Sequence, residues 1–162
     1  MTDMIGLRPA TVGDARRWWE WRNEPATRAA SFETAPIPYE THIAWFRSKL
    51  DDANARLWIA ADSTGREVGF TRIELTGNTA EMSMSLDAGR RRENLGATVI
   101  KAAAERAFAD LGVRSIVARV RAENAQSVAV FRRAGFTVAG RTTIAGADAV
   151  EMVWPPTTGL DR

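Results

Sequence analysis

The chain has 162 residues, and 45% of them are hydrophobic. A chain of this length and composition buries enough apolar surface to fold as one domain without disulfides or a structural metal. It contains no cysteine and one histidine, His42, which excludes disulfides, thiolate nucleophiles and His-rich or Cys-rich metal sites. The 22 Lys and Arg residues nearly balance the 20 Asp and Glu residues, so overall charge does not favour nucleic-acid binding.

Targeting signals are absent from the sequence. It shows neither a signal-peptide pattern nor an apolar run of about 18 residues that would span a membrane. We therefore expect one domain over residues 1–162 that acts in the cytoplasm, binds no metal, and has neither a membrane nor a nucleic acid as its partner.

Two helices are predicted in the first fifty residues. Thr11–Asp14 has the spacing of a capping box, and the following apolar residues predict a helix that runs to about Asn23 and stops before Pro25. Apolar residues at helical spacing predict a second helix over Tyr39–Leu50.

An alternating pattern begins at Leu57. It predicts strands over Leu57–Ala61, Glu67–Leu75 and Thr79–Leu86, which the intervening turn residues join into an antiparallel meander. A loop over Asp87–Asn94 then precedes the longest predicted helix, Leu95–Leu111, which Gly112 ends.

The last third of the chain alternates again between strand and helix patterns. It predicts a strand over Ser115–Arg121, a short helix over Ala125–Ala134, and a closing pair of strands over Phe136–Gly140 and Ala149–Trp154. The order of the elements describes an α/β domain with a mixed sheet.

The loop before the longest helix carries Arg90, Arg91 and Arg92. A glycine-containing turn at a helix N-terminus directs backbone N–H groups into a concavity, where the helix dipole and the arginines attract an anion such as a pyrophosphate. The alternative is an ordinary solvated basic loop.

A second motif begins at Asn124, which lies 28 residues beyond Gly96, and runs to Phe136. The two motifs together resemble the signature of the GNAT superfamily of N-acetyltransferases, and the resemblance extends from Leu7 to Trp154. It implies a GNAT fold: a mixed central sheet of about six or seven strands and about four flanking helices. It also implies that the parallel fourth and fifth strands splay apart to admit the pantetheine arm of acetyl-CoA.

The resemblance also implies the residues that bind the cofactor. Leu86 pairs with pantetheine, Asn124 and Ser127 face the cofactor near the thioester, and Phe131 stands where many members have a tyrosine that protonates the departing thiolate. Asn94 stands where the family has a glycine, and asparagine tolerates a left-handed backbone. The residues implied around the pyrophosphate, mostly through their main-chain N–H groups, are Arg91, Arg92, Asn94, Leu95, Gly96, Ala97 and Thr98.

The amino-terminal third resembles the branch of the superfamily that acetylates nucleotide-linked amino sugars in pseudaminic acid biosynthesis. The motifs are Trp21-Arg22-Asn23 on the first helix and His42-x-x-Trp45 on the second. They imply a UDP-linked 4-amino-4,6-dideoxy sugar that is acetylated on its 4-amine. The implied acceptor-site residues are Arg22, Asn23, Phe32, His42, Trp45, Thr71, Arg72 and Ser85.

Attack on a thioester requires an uncharged amine, so a proton acceptor is needed. Glu81 and His42 are the candidate catalytic residues, and an ordered water is the alternative. Both side chains also have non-catalytic interpretations. Glu81 fits an exposed strand position, and His42 fits a core position in which the ring bonds a backbone carbonyl.

Two other functions fit the sequence. The first is a protein N-terminal acetyltransferase of the ribosomal-protein alanine type, against which Arg22, Arg28 and Arg72 favour an anionic acceptor. The second is a non-catalytic acyl-CoA-binding module. The identity of the acceptor, the length of the acyl chain and the formation of a homodimer stay open.

Overall fold

The computed structural model describes residues 4–155, except the side chain of Arg92, and contains one seven-stranded sheet in the order β1-β2-β3-β4-β5-β7-β6. The strands are β1 Gly6–Pro9, β2 Ala55–Ala61, β3 Glu67–Thr76, β4 Thr79–Leu86, β5 Ser115–Arg121, β6 Thr137–Ile144 and β7 Ala147–Trp154. The helices are α1 Ala15–Asn23, α2 Pro25–Ala30, α3 Tyr39–Leu50, α4 Gly96–Leu111 and α5 Ala125–Arg133, with 3-10 turns at Val12–Asp14 and Ala88–Glu93. The predicted α/β fold with a mixed sheet is confirmed.

The structure adds two elements that the sequence patterns did not predict. Strand β1 has four residues at the edge of the sheet, too few to show alternation. Helix α2 starts at Pro25, which the sequence analysis treated only as a helix stop. Proline also suits the first position of a helix, and here the Glu24 side chain caps α2 by accepting a hydrogen bond from Thr27 N at 3.1 Å.

The parallel strands β4 and β5 pair only at one end. Thr79–Glu81 lies beside Ser115–Val117, and the remaining residues of β4, from Met82 to Leu86, have no register partner in β5. The other edge of β4 pairs along its whole length with β3. The predicted splay is therefore present, and it leaves a wedge-shaped opening in the middle of the sheet.

Side chains of β3 alternate between two hydrophobic layers. Ile73 packs in the layer beneath α4 and α5, whereas Phe70 packs with Trp18 of α1 and Phe46 of α3. The rings of Trp18 and Phe70 stack with their centroids 3.9 Å apart. Because neighbouring residues of a strand point to opposite faces, Arg72 shares the face of Phe70.

Thr71 therefore points to the α4 face, away from Arg72. It is fully buried, and its cross-strand neighbours are Trp58 and Met84. Its Oγ1 has no hydrogen-bond partner among the described residues. The prediction that Thr71 lines the acceptor site is wrong, because the strand alternation directs its side chain into the core.

Thr71→Val is expected to raise the free energy of unfolding by about 1 kcal/mol, because it removes a buried unpaired hydroxyl while keeping the shape of the side chain. Chemical denaturation measures the change, and Thr71→Ser, which keeps the hydroxyl and loses the methyl group, is the control and is expected to destabilise. A Val variant less stable than the parent protein would contradict the interpretation.

Candidate active site

A cleft of about 930 Å³ opens at the wedge between β4 and β5. Side chains from α1, α2, β3, β4, β5 and α5 line it, together with the segment that precedes α4. We call the side where α4 and α5 begin, which the sequence predicts to bind the cofactor, the cofactor side, and the side beneath α1 and α2, predicted to bind the acceptor, the acceptor side.

On the cofactor side, the segment before α4 ends in a left-handed residue. Asn94 has φ 57° and ψ 34°, a conformation that glycine adopts freely and that asparagine tolerates better than most other residues. Asn94, Gly96 and Leu86 line the cleft. Leu95 is instead buried in the core, and Ala97 and Thr98 lie half-buried in the first turn of α4 outside the lining.

Asn124 forms the amino-terminal cap of α5. Its Oδ1 accepts a hydrogen bond from Ser127 N at 3.1 Å, and both side chains line the cleft. Phe131 also borders the cleft, but it is buried and packs edge-to-face on Phe136 with ring centroids 5.1 Å apart. The second sequence motif thus builds one wall of the cleft.

The three arginines of the loop do not form one anion site. Arg90 is 4% exposed, and its guanidinium donates to Asp62 Oδ2 and Glu93 Oε2, each at 2.8 Å. It therefore anchors the loop to the turn after β2, which corrects the prediction of a basic cluster. The side chain of Arg92 lies outside the described part of the structure. Of the two arginine side chains that the structure describes here, that of Arg91 lines the cleft and that of Arg90 does not.

Helix α2 roofs the cleft, and two arginines hold it there. Arg91 Nη2 donates to Glu24 Oε2 at 2.8 Å and to Thr27 Oγ1 at 2.7 Å. From the opposite wall, Arg121 of β5 donates to the backbone carbonyl of Ser31 at 2.8 Å. The segment after α1 is thereby tied both to the loop that precedes α4 and to strand β5 of the sheet.

Of the predicted acceptor-site residues, the structure brings Arg22, Phe32, Arg72 and Ser85 to the cleft. Phe70 and Glu74 also line it and were missed, although they alternate with Thr71 and share the face of Arg72. The other lining residues that sequence reasoning missed include Thr27, Glu33, Arg119 and Arg121.

The structure places three predicted residues elsewhere. His42 is 2% exposed and its Nε2 lies 2.8 Å from the Ala15 carbonyl, so it joins α3 to α1, and burial lowers its pKa and favours the neutral ring. Asn23 braces the loop before α3 through both the amide and the carbonyl of Ile37, at 2.8 and 2.9 Å. Trp45 lies in α3 and packs against the neighbouring Phe46. None of the three lines the cleft, so the structure corrects their predicted roles in catalysis or acceptor binding.

Glu81 lies at the apex of the wedge. It is the last residue of β4 paired with β5, opposite Val117, and its side chain is 46% exposed in the cleft. Arg119 Nη1 contacts Glu81 Oε2 at 2.5 Å, and Arg119 Nε contacts Glu151 at 2.9 Å. The ion pair fixes the carboxylate at the point where the two strands separate.

The contact between Arg91 and Glu24 makes the stability of the roof depend on pH. The hydrogen bond from Arg91 is the main cause that lowers the pKa of Glu24 from 4.5 to about 2. A carboxyl group whose pKa is lowered by folding stabilises the folded state above its unfolded pKa, and the contribution is lost as pH falls through the folded pKa.

We expect Glu24→Gln to lower the free energy of unfolding by about 1 kcal/mol at pH 7, as for a partly exposed charge-assisted pair. The difference from the parent protein should shrink as the pH falls from about 4.5 towards 2. Denaturation at several pH values measures it, with Glu105→Gln on the exposed face of α4 as a control. A difference that is constant over this pH range would contradict the assignment.

Among the described residues, no helix is long and apolar enough to cross a membrane, and no group of three acidic or histidine side chains is arranged to hold a metal ion.

Comparison with known proteins identifies the family. The model of the acetyltransferase (GNAT) domain matches residues 5–137. An L-methionine sulfoximine/L-methionine sulfone acetyltransferase of Pseudomonas paraeruginosa is 30% identical over 122 residues, which cover 69% of this chain and 67% of the relative. A mycothiol acetyltransferase of Clavibacter michiganensis is 32% identical over 140 residues, which cover 82% of this chain and 42% of that longer protein.

Among solved structures, the spermidine N-acetyltransferase from Vibrio cholerae, in complex with CoA and spermine, has a TM-score of 0.84 to this chain. The match covers 93% of this chain and 94% of the other at 21% identity, so it shows a shared fold. None of these relatives is named for a nucleotide-linked amino sugar. The predicted superfamily is therefore confirmed, whereas the predicted pseudaminic acid branch is not supported. The chain belongs to the acetyltransferase (GNAT) domain family and is an acetyltransferase with acetyl-CoA as its cofactor, as the sequence predicts.

Proposed function

We propose that the protein transfers the acetyl group of acetyl-CoA directly to the primary amine of a small molecule, and that the transfer takes place at the apex of the wedge between β4 and β5. The observation that carries the proposal is the early end of the β4–β5 pairing, which opens one cleft to both the cofactor side and the acceptor side. Acetyl-CoA supplies the activated thioester, and the chain supplies orientation and a proton acceptor.

The residues present fit the cofactor. The free edge of β4 from Met82 to Leu86 offers backbone groups at strand spacing, which suits the amides of a pantetheine arm. Asn94 and Gly96 bring the first turn of the 16-residue helix α4 to the same end of the cleft. The N–H groups and dipole of that turn favour a phosphate. We place Asn124 and Ser127 beside the cofactor on the opposite wall.

Glu81 is the proposed proton acceptor. Its carboxylate lies at the apex of the wedge, where the acceptor side and the cofactor side of the cleft meet. A carboxylate there takes the proton of the attacking amine directly or through one water. Phe131 has no donor group, so we propose that the departing thiolate, with a pKa of about 8.5 for an ordinary thiol, leaves without a dedicated acid.

A small acceptor fits the cleft better than a peptide. The contacts of Arg91 and Arg121 hold the α2 segment across the acceptor side, which narrows the space that a protein N-terminal acetyltransferase needs for a peptide. The relatives are named for amino acid analogues, a thiol-containing metabolite and a polyamine. The UDP-linked 4-amino sugar remains one candidate acceptor within the class of small amines.

The test is release of free thiol from acetyl-CoA with a panel of acceptors: L-methionine sulfone, a UDP-linked 4-amino-4,6-dideoxy sugar, spermidine, a peptide with a free N-terminus, and no acceptor. We expect turnover with at least one small amine and not with the peptide. Glu81→Gln should lower kcat roughly 100-fold, the usual size of a general-base effect, with KM for acetyl-CoA nearly unchanged. Glu105→Gln is the matched control.

Two results would contradict the proposal. If the peptide alone is acetylated, the protein is an N-terminal acetyltransferase, and the α2 segment does not exclude peptides from the acceptor side. If calorimetry shows bound acetyl-CoA but no acceptor is acetylated, the protein is a non-catalytic acyl-CoA-binding module.

A further inference from the structure

Two arginines on the acceptor side of the cleft lack a closely bound acidic partner. Arg22 of α1 and Arg72 of β3 both line the cleft. Arg22 makes no side-chain hydrogen bond and no ion pair with any residue of the described range 4–155. The nearest carboxylate oxygen to Arg72 is Glu74 Oε2, at 4.0 Å from Nε, and the Arg72 guanidinium lies over the ring of Trp45, 5.4 Å from its centroid.

Three of the other arginines that line the cleft are paired, and the fourth, Arg133, is exposed and has no such partner among the described residues. Arg91 is bonded to Glu24, Arg119 to Glu81 and Glu151, and Arg121 to Glu123 and a backbone carbonyl. A charge removed from water is usually compensated by a counter-charge. Arg22 departs from this rule, and Arg72 follows it only through the long contact with Glu74, at the place where an acceptor has to bind.

The neighbouring carboxylates offset the positive charge of the pair only in part. Burial and the charge of Arg72, which lines the same cleft, lower the pKa of Arg22, while the exposed Glu33 acts in the opposite direction. Glu74 contacts Lys49 and is therefore shared with another cation. Two neighbouring guanidinium groups, with planar donors free on the cleft side, suit a carboxylate or a phosphate.

We infer that Arg22 and Arg72 bind an acidic group of the acceptor, so that the substrates are small primary amines that also carry a carboxylate or a phosphate. The inference rests on the proposed function. Arg72 and Glu74 are two residues apart on one face of β3, and Glu81 lies directly opposite Glu74. The bound acid and the proposed proton acceptor are thus separated by about 7 Å along the strand, which one small molecule spans.

The test compares acceptors that differ only in the acidic group. One pair is L-methionine sulfone and its carboxamide, which probes a carboxylate, and the other is the 1-phosphate of a 4-amino-4,6-dideoxy sugar and the free sugar, which probes a phosphate. Spermidine serves as an amine without an acidic group. In at least one pair we expect the acidic member to have a kcat/KM roughly 10- to 100-fold higher, the usual range for a charge-assisted hydrogen bond.

Arg22→Gln and Arg72→Gln are expected to remove most of this preference and to leave KM for acetyl-CoA unchanged, whereas Arg114→Gln, at an exposed position outside the cleft, has no effect. Thermal unfolding adds a second readout. Because Arg22 is a half-buried charge without a partner, Arg22→Gln should keep or raise the unfolding midpoint. A lower midpoint would make Arg22 a structural residue and overturn its assignment.

The remaining outcomes separate the two proposals. If neither pair shows a preference for its acidic member, or if spermidine is acetylated as efficiently as the acidic amines, the inference fails while the acetyltransferase function stands. If acetyl-CoA binds and no amine in either pair is acetylated, the proposed function fails and the inference fails with it. A preference within only one pair identifies the acidic group as a carboxylate or a phosphate.

Discussion

The structure depends on one constraint: β4 and β5 pair over three residues and then separate. Backbone polar groups in the middle of a sheet need partners, and water or a ligand has to supply them where a strand is missing. The opening also brings the starts of α4 and α5 to its two walls, and it leaves Glu81 at its apex. The proposed binding groups, the proposed proton acceptor and the opening in the sheet all follow from this single interruption of the ladder.

Charged side chains around the cleft have two different tasks. Arg90, Arg91, Arg119 and Arg121 contact carboxylates or carbonyls and hold the loop, the roof and the strands in place. Arg22 has no such contact among the described residues, and Arg72 has only the 4.0 Å contact with Glu74, which Glu74 shares with Lys49. A cleft with a fixed frame and a weakly compensated pair of cations is suited to select its ligand by charge, since a neutral ligand adds no counter-charge to the pair.

Local patterns predicted most of the fold because they depend on neighbouring residues alone. The bounds of β4, β5 and α3 match those predicted, since strict alternation and helical spacing mark buried faces. The helix α2 was missed because Pro25 both ends and starts helices. In the site, the two motifs led to residues that line the cleft, but His42 and Thr71 were misplaced. A polar residue on a buried face fits a core hydrogen bond as well as a site, and only the packing of α1, α3 and α4 distinguishes them.

The most direct test of the central claim is hydrogen–deuterium exchange with and without acetyl-CoA. The account predicts slower exchange for those amides of Met82–Leu86 that face the wedge and for the first turn of α4, with little change at the outer strands β1 and β6. Slower exchange confined to another surface, such as the second pocket between Leu50 and Trp58, would show that the interrupted ladder is not the cofactor site.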